Sequence, residues 1–276
     1  MARYSIGFIG AGNMASAIIH GLLQSGMSAD QLIASAPSDI TRNRIQQDFG
    51  IHTTVYNADA ARADIVMLCV KPQIMKAALS DIHKTLIQQR PLLVSVAAGI
   101  TITMLHQWIN DQDYPLAVIR AMPNTPALFN QGATGLYAES GVSLDKKQRV
   151  TDIFNHIGIA QWVDKETLID AVIAVAGSAP AYYFLFMEAI RDEGIKMGLS
   201  PKVSEQLTLQ TALGAATMAL KGDDDITELR RKVCSPNGTT ERAIKTFQKG
   251  QLDHLVKQAM EAVLQRSREM AGELNQ

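Results

Sequence analysis

The sequence predicts an α/β N-terminal domain built on a parallel sheet, followed by an all-α C-terminal domain. Three observations carry this. Short β-type runs alternate with helical patterns over the first ~160 residues, as a parallel sheet with crossover helices requires. After about Thr167 the β signals stop and only helix-like segments follow. The first strand-like run, Ser5–Ile9, passes directly into a glycine-rich turn that opens an apolar helix.

Length and composition permit such a plan. The 276 residues suffice for one large domain or two ordinary ones, and 47% hydrophobic with 19% charged residues excludes a disordered or collagen-like chain. With 26 basic and 27 acidic residues the net charge is −1, so no global field draws nucleic acid or an anionic membrane. Cys69 and Cys234 cannot form a disulfide framework and fit a reducing cytoplasm. Met1-Ala2-Arg3 and the apolar run behind it resemble a signal peptide, but Gly7, Gly10, Gly12 and Asn13 break that run. Leu92–Leu105, the longest other apolar stretch, contains Ser95, Gly99, Thr101 and Thr103 and is too short and polar to span a bilayer. A cytoplasmic protein with no membrane or nucleic-acid partner is expected.

In chain order, strands are expected at Ser5–Ile9, Leu32–Ser35, His52–Val55, Ile65–Val70, Leu92–Val96 and Ala117–Arg120, with weaker signals at Ala133–Tyr137 and Gln161–Val163. Ile65–Val70 is apolar throughout, which suits a central strand buried on both faces. Helices are expected at Asn13–Ser25, Ile40–Asp48, Ile74–Ile87 and Lys146–Ile157. The domains would span 1–164 and 165–276, joined near Asp164–Thr167. In the second, Leu252, Leu255, Val256, Ala259, Met260 and Val263 fall on one helical face. Leu207–Leu220, rich in Ala and Gly, should be buried against other helices, either inside one chain or against a second copy.

The turn Gly10-Ala11-Gly12-Asn13-Met14-Ala15 follows a G-x-G-x-x-A pattern. Gly10 permits the tight turn, Gly12 lets backbone approach a pyrophosphate, and Ala15 allows close helix–strand packing. The helix N-terminus adds free N–H groups and positive partial charge, so a dinucleotide site is expected in preference to a plain turn. A dinucleotide lacking a 2′-phosphate is held by Asp or Glu at the end of the second strand. Here Leu32-Ile33-Ala34 runs into Ser35-Ala36-Pro37-Ser38, and Asp30 and Asp39 lie to either side. The hydroxyls of Ser35 and Ser38, open backbone N–H groups and Arg42 or Arg44 favour NADPH, with NADH the alternative. Val70-Lys71-Pro72-Gln73 and Val96-Ala97-Ala98-Gly99 end two further strands, where ligands bind in open sheets. Small residues in the latter would let a nicotinamide ring approach the backbone.

Several other features predict no site. His20, His52, His83, His106, His156 and His254 have no metal-ligand spacing, and Gly222-Asp223-Asp224-Asp225 reads as an acidic loop, so no metal is expected. From its residues alone Ser235–Thr240 reads as a helix cap in preference to an anion site, although Pro236 and Gly238 shape a turn before a helix that presents unpaired N–H groups able to hold a carboxylate.

The segment Val233-Cys234-Ser235-Pro236-Asn237-Gly238-Thr239-Thr240-Glu241-Arg242-Ala243-Ile244 resembles the C-terminal signature of the Δ1-pyrroline-5-carboxylate reductase family. Supporting segments are Gly10–Met14, Val70-Lys71-Pro72, Arg120–Pro126 and Gly177–Tyr182, and the resemblance spans essentially the whole chain. Ala179 departs from the Gly common in that family. The resemblance implies a Rossmann-type NAD(P)-binding domain, a C-terminal helical dimerisation domain, and reduction of the cyclic imine pyrroline-5-carboxylate to L-proline, the last step of proline synthesis. It also implies cofactor contacts at Gly10–Ala15, Ser35, Asn57, Val70–Gln73 and Ala97–Gly99. Substrate contacts are implied at Glu166, Thr239 and Thr240, near the segment from Ser235 that includes Asn237 and Gly238. The partner it implies is a second copy of the chain, in a dimer or larger homo-oligomer.

The chemistry is compatible with these residues. A cyclic iminium is already electrophilic, so positioning outweighs acid catalysis, and Thr240 is the candidate catalytic residue that hydrogen-bonds the ring nitrogen or orients the nicotinamide amide. Glu166 either contacts the ring nitrogen, shapes the domain interface, or is a first-turn helix charge. Hydroxy acid dehydrogenases of similar architecture use a helix lysine, and Ala174–Phe184 contains no Lys, Arg, His or carboxylate. Such a dehydrogenase and a non-enzymatic NADPH sensor are the alternatives at this point.

Overall fold

Eight strands assemble in the order β3-β2-β1-β4-β5-β6-β7-β8 in the computed structural model, which describes residues 4–110 and 115–274. Met1-Ala2-Arg3 therefore lies outside the described residues. The strands are β1 Ile6–Ile9, β2 Leu32–Ser35, β3 His52–Thr54, β4 Ile65–Leu68, β5 Leu92–Ser95, β6 Val118–Met122, β7 Gly132–Ala138 and β8 Gly158–Trp162. Strands β1 to β6 are parallel, with Ile6 opposite Leu32 on one side and Ile65 on the other. The expected all-parallel sheet needs one correction: β7 runs antiparallel to β6. The connection Pro123–Gln131 is too short for the crossover that a parallel pair requires.

Helices α1 Asn13–Gln24, α2 Asp39–Phe49, α3 Asn57–Ala60, α4 Pro72–Gln89, α5 Ile102–Ile109 and α6 Leu144–Asn155 cover both faces of the sheet. Strand alternation divides the core. Ile6, Phe8, Met67 and Ile119 pack with Ile18 and Leu22 of α1 and Phe154 of α6. Ile9, Val66, Leu68 and Leu93 pack with Met75, Leu79 and Ile82 of α4 and Leu105 of α5. Each fully buried side chain of this size contributes roughly 1.5–3 kcal/mol. Helix α5 had no place in the expected helices because its residues read as the end of an apolar stretch. Thr101 starts it by accepting a hydrogen bond from the Met104 N–H at 3.2 Å.

The described residues up to Ser178, together with those from Val263 onward, form one unit, and Ala179–Ala262 forms a second. The expected junction near Asp164–Thr167 lies inside the first unit, because α7 (Leu168–Val172) packs on β7. A π-helical turn, Ile173–Gly177, follows α7, with Ser178 N–H donating to the Ile173 carbonyl at 2.8 Å. Pro180 has no N–H to give the Ala176 carbonyl its helical partner. The buried Asn124 side chain supplies one, donating to the Ala176 carbonyl at 3.1 Å while accepting from the Ala133 N–H at 2.8 Å.

The second unit holds α8 Ala179–Lys196, α9 Pro201–Lys221, α10 Ile226–Lys232, α11 Thr239–Lys249 and the first half of α12 Leu252–Leu274. Leu207–Leu220, expected to be buried, is exposed in the single chain at Leu207, Leu209, Leu213, Met218 and Leu220. Tyr183, Phe184, Leu185 and Phe186 of α8 are likewise exposed. The run Leu168–Lys196, 29 residues, is long and apolar enough to cross a membrane by length and composition, and is longer than the Leu92–Leu105 stretch singled out from sequence.

Candidate functional site

The order β3-β2-β1-β4-β5-β6 reverses direction between β1 and β4, and in open sheets that reversal is where ligands bind, beyond the strand ends. The Gly10–Ala15 turn stands there. Gly10 has φ +94°, and a Cβ on it would lie 3.0 Å from the Cys69 carbonyl, so the turn is pressed against the end of β4. Gly12 is different: it caps α1 with no side-chain acceptor, is exposed, and a Cβ there would meet nothing within 4 Å. No packing inside the chain demands a glycine at 12, so the space beside it and the unpaired N–H groups of α1 fit a phosphate group. Asn13 is exposed, Met14 half-buried, and Ala11 and Ala15 are buried in the core.

The second-strand end calls for a correction. Ser35 is fully buried, and its hydroxyl donates to Asn57 Oδ1 at 2.7 Å and approaches the Phe8 carbonyl at 3.2 Å. It does not stand open for a 2′-phosphate. Asn57 is committed too, since its Nδ2 donates to Asp81 at 3.1 Å. Ser38 remains exposed and caps α2. The two arginines separate: Arg42 is folded back on the carbonyls of Ala36 and Pro37 and on Asp39, whereas the exposed Arg44 donates to the Ala11 carbonyl of the glycine turn at 3.3 Å. Sequence placed both near the site, and only the fold distinguishes a brace from a cation lying across the phosphate turn.

At the end of β4, half-buried Val70 leads to exposed Lys71, which is the N-cap of α4, with Pro72 as its first residue. Gln73 faces a cleft between α4 and α5 lined also by Lys76, Ser80 and Trp108. Burial pushes the Cys69 thiol up to about 12, so it stays protonated at neutral pH. Beyond β5, Ala97 and Gly99 are buried and Ala98 half-buried. Gly99 has φ +75°, and its α-carbon side is backed by Met270, Ala271 and Leu274 of α12.

Of the three readings open for Glu166, the first-turn charge of its own helix is not the one its hydrogen bonds describe. Its Oε1 accepts from the Ile102 N–H at 2.8 Å and from Arg120 Nη1 at 2.9 Å, so the helix whose N-terminus it caps is α5, not its own. Arg120 on β6, 5% exposed, is the one Asp, Glu, Lys or Arg that is buried among the described residues, and in the sequence nothing but its place in the Arg120–Pro126 motif marks it.

The remaining candidates lie in the second unit. Ser235, Asn237, Thr239 and Thr240 are exposed. The Gly238 N–H donates to the Ser235 carbonyl at 2.9 Å, closing the turn, and Asn237 takes the left-handed conformation at φ +60°. Gly238 caps α11 without a side-chain acceptor, so the expected alternative of a Ser/Thr cap is not how this helix starts. Thr239 and Thr240 are its first two residues, and their N–H groups open toward solvent. Glu241 pairs with Lys245 and accepts from the Asn237 N–H at 2.9 Å, and the lysine contact above all holds its carboxyl below the usual range. The half-buried Tyr182 keeps a hydroxyl that is buried without a partner. No group of His, Cys, Asp and Glu among the described residues could hold a metal.

Residues 166–270 match the family model for pyrroline-5-carboxylate reductase dimerisation, and residues 5–99 match that for coenzyme F420-dependent NADP oxidoreductases. The chain is 49% identical to a pyrroline-5-carboxylate reductase of Pseudomonas aeruginosa, covering 100% of both sequences. Among solved structures, a pyrroline-5-carboxylate reductase from Coxiella burnetii superposes with a TM-score of 0.92 at 37% identity, covering 97% of this chain and 98% of that one. The Plasmodium falciparum pyrroline carboxylate reductase, solved with NADP bound, gives 0.84 at 31% identity, covering 98% and 99%.

Proposed function

The chain belongs to the pyrroline-5-carboxylate reductase family, and from that premise we propose how its residues divide the work. It is an NADP-dependent oxidoreductase that reduces Δ1-pyrroline-5-carboxylate to L-proline, and it self-associates through its helical segment. NADPH, when bound, supplies the hydride that reaches the imine carbon. The observation that carries the residue assignment is a pair of helices, α1 and α11, each entered through a glycine N-cap with no side-chain acceptor. Each offers unpaired N–H groups to an anion, one in each unit.

In this reading Gly10, Ala11, Gly12, Asn13, Met14 and Ala15 hold the pyrophosphate. Ser38 and Arg44 face the 2′-phosphate while Arg42, Ser35 and Asn57 brace the loop around it. Val70, Lys71, Pro72 and Gln73 and the turn Ala97, Ala98 and Gly99 flank the nicotinamide. Ser235, Asn237, Gly238, Thr239 and Thr240 hold the substrate carboxylate through N–H groups and hydroxyls, and Thr240 also orients the ring nitrogen. Glu166 keeps Oε2 without a hydrogen bond among the described residues, free for a ring N–H. The absence of a Lys, Arg, His or carboxylate from Ala174–Phe184 fits an electrophile that needs orienting more than protonating.

We assign residues 1–164 to cofactor binding and 165–276 to dimerisation and substrate binding, supported by the family match over 166–270. The apolar surface of α8 and α9 is assigned to a second copy, with no membrane or nucleic-acid partner. The cytoplasm is the proposed compartment, supported by two unpaired cysteines. The test is NADPH oxidation by the purified protein with pyrroline-5-carboxylate, compared with NADH. A higher kcat/KM with NADPH is expected. Absence of turnover by folded protein would sink the reading, and a preference for NADH would remove Arg44 and Ser38 from the 2′-phosphate.

A further inference from the structure

We propose that Arg120 is a positioning residue that acts through Glu166 to fix the turn Ala97–Gly99 and the start of α5. Four observations lie in the first unit and converge on that turn. Arg120 is held inside the sheet at 5% exposure, where a cation needs a specific partner. Its Nη1 lies 2.9 Å from Glu166 Oε1, and the same oxygen accepts the Ile102 N–H at 2.8 Å. Only Ile100 and Thr101 separate Gly99 from Ile102, so the carboxylate ties the turn's far end to the segment before α7. On its other side Gly99 is backed by Met270, Ala271 and Leu274.

The turn is thus clamped between a charged anchor and an apolar one. Burying an arginine in β6 merely to hold the sheet together would be a poor use of charge, since an apolar side chain of similar size would pack there as well. A guanidinium that fixes a carboxylate, which in turn caps the helix after the turn, gives the charge a purpose. The inference rests on the reading that Ala97–Gly99 flanks the nicotinamide. Loosening the turn then misplaces the ring without removing any group that touches phosphate.

The test compares Arg120→Met, Arg120→Lys, Glu166→Gln and the double variant Arg120→Met/Glu166→Gln with the unaltered protein. Amide hydrogen exchange on the cofactor-free protein is expected to rise over residues 97–105 in R120M and E166Q, and to stay unchanged in β1, β4 and α1. In the reductase assay R120M should lower kcat roughly 10- to 100-fold, with KM for NADPH moving less than about threefold. The deuterium isotope effect with NADPH labelled at the transferred position should increase as hydride transfer becomes limiting. R120K should recover part of the loss. The double variant should be no slower than the slower single variant, because both act on one anchor. Exchange rising uniformly across the chain, or losses that multiply in the double variant, would overturn the proposal in favour of a purely structural role. Should R120M not fold, R120K alone and combined with E166Q carries the same comparison. If the unaltered protein fails to reduce the imine, the functional reading falls, whereas normal turnover with unchanged R120M kinetics overturns the inference alone.

Discussion

Thr240 and Asp64 exemplify what single side chains do in this protein. Thr240, the second residue of α11, is exposed and uses its hydroxyl in no hydrogen bond among the described residues. Thr240→Ala should therefore leave the thermal midpoint unchanged and lower kcat/KM for pyrroline-5-carboxylate about 10- to 100-fold, with NADPH affinity retained. Steady-state kinetics and fluorescence titration with NADPH check this, and unchanged kinetics would remove Thr240 from the site. Asp64 joins the starts of β1 and β4: it accepts from Ser5 N and Ser5 Oγ at 2.8 Å each, and the backbone hydrogen bond above all holds its carboxyl below the usual range. A depressed carboxyl stabilises the fold above its unfolded value of about 3.9, and that contribution is lost as pH falls through the folded value. Asp64→Asn should lower the thermal midpoint at pH 7, and the gap to the unaltered protein should narrow as pH falls below the unfolded carboxyl value of about 3.9. A gap that persists at low pH would refute the linkage. At this scale the glycine entries to α1 and α11 were legible in the sequence, because an N-cap without a side-chain acceptor follows from glycine placement. The partners of Ser35 and Glu166 were not legible, because Asn57, Arg120 and Ile102 are distant in sequence and depend on strand order.

At the scale of elements, a single close approach fixes how α3 sits on the sheet. A Cβ on Gly7 would come within 1.8 Å of the Ala60 carbonyl oxygen, backbone that cannot swing aside. Gly7→Ala should displace α3 from β1 and destabilise the protein by about 1–3 kcal/mol, measured by urea denaturation. A stability unchanged from the unaltered protein would contradict that packing. Because Asn57 and Ala60 belong to α3, the same change should disturb the Ser35–Asn57 hydrogen bond. The strands were legible because alternation and continuous apolar runs mark them, including β7, whereas the signal at Gln161–Val163 caught only the end of β8. The direction of β7 was not, since it is set by the length of the link Pro123–Gln131 rather than by local pattern. Helix α5 escaped because a short apolar helix and the tail of a buried strand share one composition. The π-helical turn was equally hidden: Pro180 marks a carbonyl lacking a donor, but only the fold brings Asn124 to it.

For the whole molecule, the exposed apolar surface of the helical unit is the feature that asks for a partner. Phe184, Leu185, Leu209 and Leu213 are exposed in the single chain, and this surface lies within the segment that matches a dimerisation family. An apolar face of that extent needs a partner to cover it, and the family match names a second copy. A net charge of −1 accords with anionic ligands held by helix N-termini and hydroxyls instead of a basic surface. The most direct test of the central claim follows the hydride itself. The purified protein is given pyrroline-5-carboxylate and NADPH carrying deuterium at the transferred position, and the product is examined by mass spectrometry and NMR. Proline bearing one deuterium at the ring carbon that was the imine carbon is the predicted result. Unlabelled proline, or NADPH left unoxidised by folded protein, would contradict it.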